Sequence, residues 1–311
     1  MIDHSVSQNI SFIVIPDTQI LAKNHQDVLK VMAHWITNHA EEMGVKAVIH
    51  VGDVVDQGAK HEAEYRKARQ ALKLIEEAGL PLLIAAGNHD YDDPITSKRG
   101  LVHPDKVREL SMFNRYFGVH RFRGKPWFGG VYEVGKAENM YARFEWGGTP
   151  FLFLILEFAP RDEVMAWADE VNLQHPDHQV FLITHSYMYM YGERVKQGDD
   201  ANPKEKYSAV AGCNDGEDMW QKHLKHYPNL VAVFSGHHTP VNVSHRVDRG
   251  MHGNKVIQCF QNWQAEAFGG CGRFRIVSYD TADGSITLKV FNPLRERFES
   301  ATGYDLSFRR T

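Results

Sequence analysis

Ala47-Val48-Ile49-His50-Val51 runs directly into Gly52-Asp53-Val54-Val55-Asp56, and Leu82-Leu83-Ile84-Ala85-Ala86 runs into Gly87-Asn88-His89-Asp90. Each stretch joins a short apolar run to a glycine and then to side chains that can bind a ligand. The join recurs. Phe12–Pro16 is followed by Asp17-Thr18-Gln19, Val180–Thr184 by His185, and Leu230–Phe234 by Ser235-Gly236-His237-His238. Runs this short and this rich in Val, Ile, Leu and Phe fit strands buried on both faces, and Phe151–Leu156 is a sixth. Five of them end in carboxylate, amide or imidazole, at the carboxyl edge where open α/β sheets bind ligands. Gly52, Gly87 and Gly236 let the backbone turn sharply, so that the next side chain points across a crevice.

Between these runs Val28, Met32, Trp35 and Ile36 keep helical spacing, as do Tyr65, Ala68, Leu72 and Ile75, with Gly79 and Pro81 as a stop. After residue 250 the texture changes. Val256–Phe260, Arg273–Tyr279 and Ser285–Phe291 alternate apolar and polar residues, and Ala282-Asp283-Gly284 reads as a hairpin turn. Strand–helix alternation followed by an antiparallel tail predicts an α/β fold with residues 1–311 as one domain. Residues 96–130 read as an insertion or rim. They hold eight Lys/Arg (Lys98, Arg99, Lys106, Arg108, Arg115, Arg121, Arg123, Lys125) against Asp105 and Glu109. Such a segment is either a solvated face or a cationic rim that gathers anionic substrate.

The 311 residues are 43% hydrophobic and 24% charged, ordinary values for a globular chain long enough to bury a core unaided. The longest strongly apolar stretch, Phe151–Phe158, is far short of the ~20 residues of a membrane-spanning helix. The N-terminus has no basic cluster and only a short apolar run broken by Pro16, unlike a secretory signal. Cys213, Cys259 and Cys271 form no C-x-x-C pair and read as reduced thiols, so a cytoplasmic location is expected. A net charge of −4 supplies no global field for long nucleic acid, and a small ligand is expected. Eighteen histidines make a nitrogen and oxygen metal site worth seeking.

Each strand end alone has an ordinary explanation: an aspartate as helix N-cap, a histidine as a hydrogen-bonded wall, Gly-Asn-His-Asp as a turn. Five such coincidences at successive strand ends are hard to accept together. Asp, Asn, Gln and His without thiolate suit Mn, Fe or Zn ions outside a structural zinc site. A carboxylate bridging two ions ~3.5–4 Å apart marks two-metal hydrolysis, and Asp53 is the bridging candidate.

The series D-x-[HQ], G-D-x-x-D, G-N-H-D, H, G-H resembles the calcineurin-like metallophosphoesterase superfamily over about residues 11–293. Ile15–Gln19 (IPDTQ), Thr184–Tyr189 (THSYMY) and the tail V-x-Q-x-x-x-N-x-Q from Val256 to Gln264 resemble a bacterial subgroup of it. The resemblance implies a layered sandwich of two mixed β-sheets flanked by helices. It implies one metal on Asp17, Gln19 and Asp53, and a second on Asp53, Asn88, His185 and His237. It implies His89 as the group that touches the phosphoryl or protonates the leaving oxygen, with Asn88 beside it on substrate and Asp90 as the orienting carboxylate. Two positions depart from the pattern. Gln19 stands where the wider superfamily has His, and Thr239 where a second histidine belongs. His238 can replace the latter only if the loop bends, since neighbours on extended backbone point to opposite sides; otherwise the first metal is weakly held.

The implied activity is hydrolysis of a small phosphate mono- or diester by a metal-activated hydroxide at a dinuclear site. The departures leave open a metal-binding scaffold without catalysis, and the chemistry leaves open a bond other than a phosphate ester. Tyr187, Tyr189 and Tyr191 either wall the pocket or pack. His223, His226, His245 and His252 read as surface residues, Trp263 carries no assigned chemistry, and oligomeric state is not legible.

Overall fold

A computed structural model describes residues 9–94, 108–207 and 212–309. The strands are β1 (Asn9–Ile15), β2 (Val45–His50), β3 (Leu82–Ile84), β4 (Phe128–Val131), β5 (Met140–Trp146), β6 (Thr149–Ile155) and β7 (Gln179–Ile183). They continue with β8 (Leu230–Ser235), β9 (Val243–Arg249), β10 (Lys255–Gln261), β11 (Phe274–Asp280), β12 (Ile286–Asn292), β13 (Arg297–Glu299) and β14 (Leu306–Phe308). The longer helices are α1 (Gln19–Asn24), α2 (Gln26–His39), α3 (Glu62–Glu77), α4 (Ser111–Phe117) and α5 (Asp162–Leu173).

Among the described residues the strands form two mixed sheets, as the resemblance implies. One has the order β13-β12-β11-β1-β2-β3 with β14 on β12, the other β4-β5-β6-β7-β8-β10-β9. The apolar runs become the parallel centres, β1-β2-β3 in one sheet and β6-β7-β8 in the other. The tail adds β11, β12 and β13 antiparallel beside β1. Only part of the tail is antiparallel throughout: β10 lies parallel to β8 and antiparallel to β9, and it is buried along most of its length.

The sheets pack face to face through aromatic side chains. Phe12 meets Phe153, Phe181 and Phe234 of the opposite sheet edge-on at centroid distances of 5.5, 5.1 and 6.0 Å. Outside the first sheet, α2 buries Leu29, Met32, Ala33 and Ile36, and α3 buries Tyr65, Ala68, Leu72 and Ile75. The 3.6-residue spacing puts each set on one face. Outside the second sheet, α5 buries Val164, Met165, Ala168 and Val171. No helix among the described residues is long and apolar enough to cross a membrane.

The basic segment divides. Lys98, Arg99 and Lys106 lie outside the described residues. Arg108, Arg115 and Arg121 are paired with Glu157, Glu62 and Glu76 at 3.0, 3.3 and 2.8 Å. Those three guanidiniums are paired with the protein's own carboxylates, while Arg123 and Lys125 of the same segment are exposed.

Candidate metal centre

The carboxyl ends of β1, β2 and β3 meet those of β7 and β8 along the seam between the sheets. Asp53 and Asp17 come from the first sheet, His185 and His237 from the second. His185 Nε2 lies 3.1 Å from Asp53 Oδ2 and 3.2 Å from His237 Nδ1. Donor atoms of Asp53, His185 and His237 all fall within 4.8 Å of one another, and all three side chains are buried.

The backbone is shaped for this approach. Asp53 and His237 both adopt left-handed conformations, with φ of 53° and 80°, uncommon for side-chain-bearing residues and typical of functional sites. Gly87 and Gly236 are required by proximity: an added Cβ would lie 2.1 Å from Asp53 Oδ1 at the first and 2.1 Å from Asp17 Oδ1 at the second. The positive φ at His237 also supplies the bend that the next residue needs. His238 faces the same cavity as His237, their rings 4.7 Å apart, although the two are neighbours in sequence.

Tautomers follow from the second partner of each ring. His185 Nδ1 donates to the Val51 carbonyl at 3.0 Å, which aims Nε2 at Asp53. His237 meets the Tyr207 hydroxyl through Nε2 at 3.1 Å. His89 Nδ1 donates to the Asp56 carbonyl at 2.7 Å, and the Asp56 carboxylate lies 3.6 Å away.

Asp90 does not stand behind His89, contrary to expectation. Its carboxylate accepts backbone N–H groups of Val54, Val55 and Gly87 at 2.9, 3.1 and 2.8 Å, tying the loop after β2 to the loop after β3. In the tight turn Gly87–Asp90 the two side chains diverge, one into the cavity and one into the floor. Asp56, the second acid of G-D-x-x-D, takes the place beside His89, and its position in that motif is the signal the chain offers.

Asn262 and Gln264 also escape a reading of the motifs alone. They donate to Asp17 Oδ2 at 2.8 and 3.4 Å, while the His237 N–H reaches the same oxygen at 3.1 Å. Both belong to the tail motif that carries the subgroup resemblance, but nothing in their spacing says which carboxylate they serve. Trp263 between them is structural: its Nε1 donates to the Tyr304 hydroxyl at 2.7 Å. Of the three tyrosines, Tyr187 is buried and donates to Gln258 at 2.8 Å, Tyr189 lines the cavity, and Tyr191 is exposed.

The electrostatics call for positive charge. Burial, together with the charge on Asp53, raises the Asp17 carboxyl well above its usual range. Asp53 is held low despite burial by His185 and His89. Burial opposes a charge on His185, yet Asp53 and Asp17 hold its pKa up at about 9. Burial and neighbouring imidazoles push His237 well down and His238 to about 3, so both keep their lone pairs. Buried Gln19 Oε1 and His238 Nε2 have no hydrogen-bond partner among the described residues. Two carboxylates, the neutral imidazoles of His237 and His238, a His185 ring that would give up its proton to a cation, and orphaned acceptors are a donor set that fits cations such as Mn, Fe or Zn.

Beside this cluster lies a cavity of about 230 Å³, lined by Asp53, Asn88, His89, His237, His238 and Gln264 on its inner side. Tyr189, Met190, Asp200, Ala201, Tyr207 and Thr239 form the outer side.

The chain is 26% identical over 287 residues to "Uncharacterized protein YvnB" of Bacillus subtilis (strain 168), covering 91% of this chain and 20% of that protein. It therefore spans about a fifth of that relative's length. A dimetal phosphatase from Danio rerio shares the fold at TM-score 0.56 and 11% identity, over 97% of this chain and 99% of that one. GAP50, described as the anchor in the inner membrane complex of Plasmodium, does so at 0.51 and 11%, over 97% and 88%. The family model for calcineurin-like phosphoesterase matches residues 10–240. With most of its length inside that match, the chain belongs to the calcineurin-like phosphoesterase family.

Proposed function

We propose that this chain hydrolyses phosphate mono- or diesters at a dinuclear metal centre. The observation that carries the reading is the convergence of Asp53, His185 and His237 donor atoms within 4.8 Å, from strand ends of two sheets. One cation would be held by Asp17, Gln19, Asp53 and His238, the other by Asp53, Asn88, His185 and His237. Bound there, two cations supply Lewis acidity to the phosphoryl oxygens and ready a water for attack near neutral pH.

The residues around them do the rest. Asn88 and His89 line the cavity on the inner side and meet the non-bridging oxygens. With Nδ1–H anchored on the Asp56 carbonyl, the His89 ring has Nε2 free to hand a proton to the departing alkoxide. The Asp56 carboxylate lies 3.6 Å from the same Nδ1, and Lys23 holds that carboxylate at 2.6 Å. Asn262 and Gln264 orient Asp17 so that its second oxygen faces the cluster.

Asp53→Asn tests the reading. Metal content by elemental analysis and turnover of chromogenic mono- and diesters with added Mn²⁺ are expected to fall together, turnover by at least a hundredfold. Full metal content with full turnover would overturn the bridging role. Absence of turnover by the wild-type protein across both ester classes would overturn the enzyme itself.

A further inference from the structure

The outer side of the cavity has its own chemistry. Among the described residues lining it there is no lysine or arginine. A phosphate dianion or an anionic alcohol would meet no side-chain cation there beyond the imidazoles. It would meet instead the exposed carboxylate of Asp200, the phenol rings of Tyr189 and Tyr207, and the thioether of Met190.

The two rings are held in place. Ala201, next to Asp200, is left-handed at φ 59°. The Tyr189 ring stands edge-on to His238 at 4.9 Å, and the Tyr207 hydroxyl is 3.1 Å from His237 Nε2. Both rings are thus fixed relative to the imidazoles, and Asp200 lines the same cavity.

We propose that this cavity selects phosphodiesters bearing an ammonium group, with the cation on Asp200 and the faces of Tyr189 and Tyr207 and the phosphate at the metal-ligand cluster. The inference rests on the phosphoesterase reading and adds the substrate's charge. Cation–π attraction and a partly screened ion pair together support about a tenfold preference. A phosphodiester keeps one negative charge, which the metal-ligand end satisfies, and leaves the second substituent to the outer wall.

The test compares 4-nitrophenyl phosphocholine with 4-nitrophenyl 3,3-dimethylbutyl phosphate, in which carbon replaces the ammonium nitrogen. With Mn²⁺-loaded protein, kcat/KM is expected to favour the choline ester about tenfold, mainly through KM. In Asp200→Asn the ratio should fall close to one, and in Asp200→Lys below one; a ratio between two substrates is insensitive to partial misfolding. Calorimetric binding of choline phosphate against 3,3-dimethylbutyl phosphate separates the two ideas. Tenfold preferential binding without turnover of either ester supports the cation site and overturns the phosphoesterase reading. Turnover with equal kcat/KM for the two esters, or a ratio untouched by Asp200→Lys, overturns the cation site and leaves the phosphoesterase reading standing.

Discussion

A methyl group at position 87 would sit 2.1 Å from Asp53 Oδ1 and 2.3 Å from the Asp53 nitrogen, distances no real packing tolerates. Asp53 is already strained at φ 53° and cannot retreat without leaving His185. Gly87→Ala is therefore expected to act on the site more than on the fold. We expect turnover to drop at least a hundredfold and metal affinity to weaken, at a cost of about 1–3 kcal/mol in stability. Metal titration and chemical denaturation of the same variant check both halves. The same scale explains the misassigned acid. Asp56 and Asp90 are equally plausible partners for His89 by residue type, and the choice depends on which way one turn throws its side chains.

The segment after β7 carries Tyr189, Asp200 and Tyr207, and it is pinned by Arg194. That guanidinium reaches Glu217 at 2.7 Å, Asp248 on β9 at 2.5 Å and Gln258 on β10 at 2.9 Å. Burial opposes a charge on Asp248, but hydrogen bonds from Arg246, Gln258 and Arg194 hold its pKa at about 2. Because the folded value lies below the unfolded ~3.9, this stabilisation is complete above pH 4 and fades as pH falls through 2. Asp248→Asn should cost about 1 kcal/mol at pH 6, after discounting for partial solvent screening. That difference from wild type should shrink towards zero at pH 2. Denaturation curves at the two pH values decide it, and a gap that persists at pH 2 would show that the carboxylate's charge is not what stabilises.

At the scale of the molecule, the centre is a seam. Asp17 and Asp53 ride on one sheet, His185 and His237 on the other, and Phe12 locks the two faces below them. A cation shared by these ligands would staple the sheets, so binding and folding are coupled. Mn²⁺ at a hundred times its Kd is expected to raise the unfolding free energy by about 2.7 kcal/mol, and a chelator should remove the gain. Thermal melts with and without metal test this, with Asp53→Asn as the variant expected to show no gain.

Sequence alone determined the alternation of buried strands and amphipathic helices, the hairpin at Ala282–Gly284, and the residues gathered at five strand ends. These are local properties, written in periodicity and in the few residues after each apolar run. Only the tertiary structure decided that β10 lies parallel to β8, that Asp56 and not Asp90 flanks His89, that Asn262 and Gln264 serve Asp17, and that His238 turns into the cavity. Each of those outcomes depends on strand pairing between distant segments or on one left-handed residue, His237. Neither leaves a periodic trace in the chain, because they are set by which surfaces meet when the two sheets close.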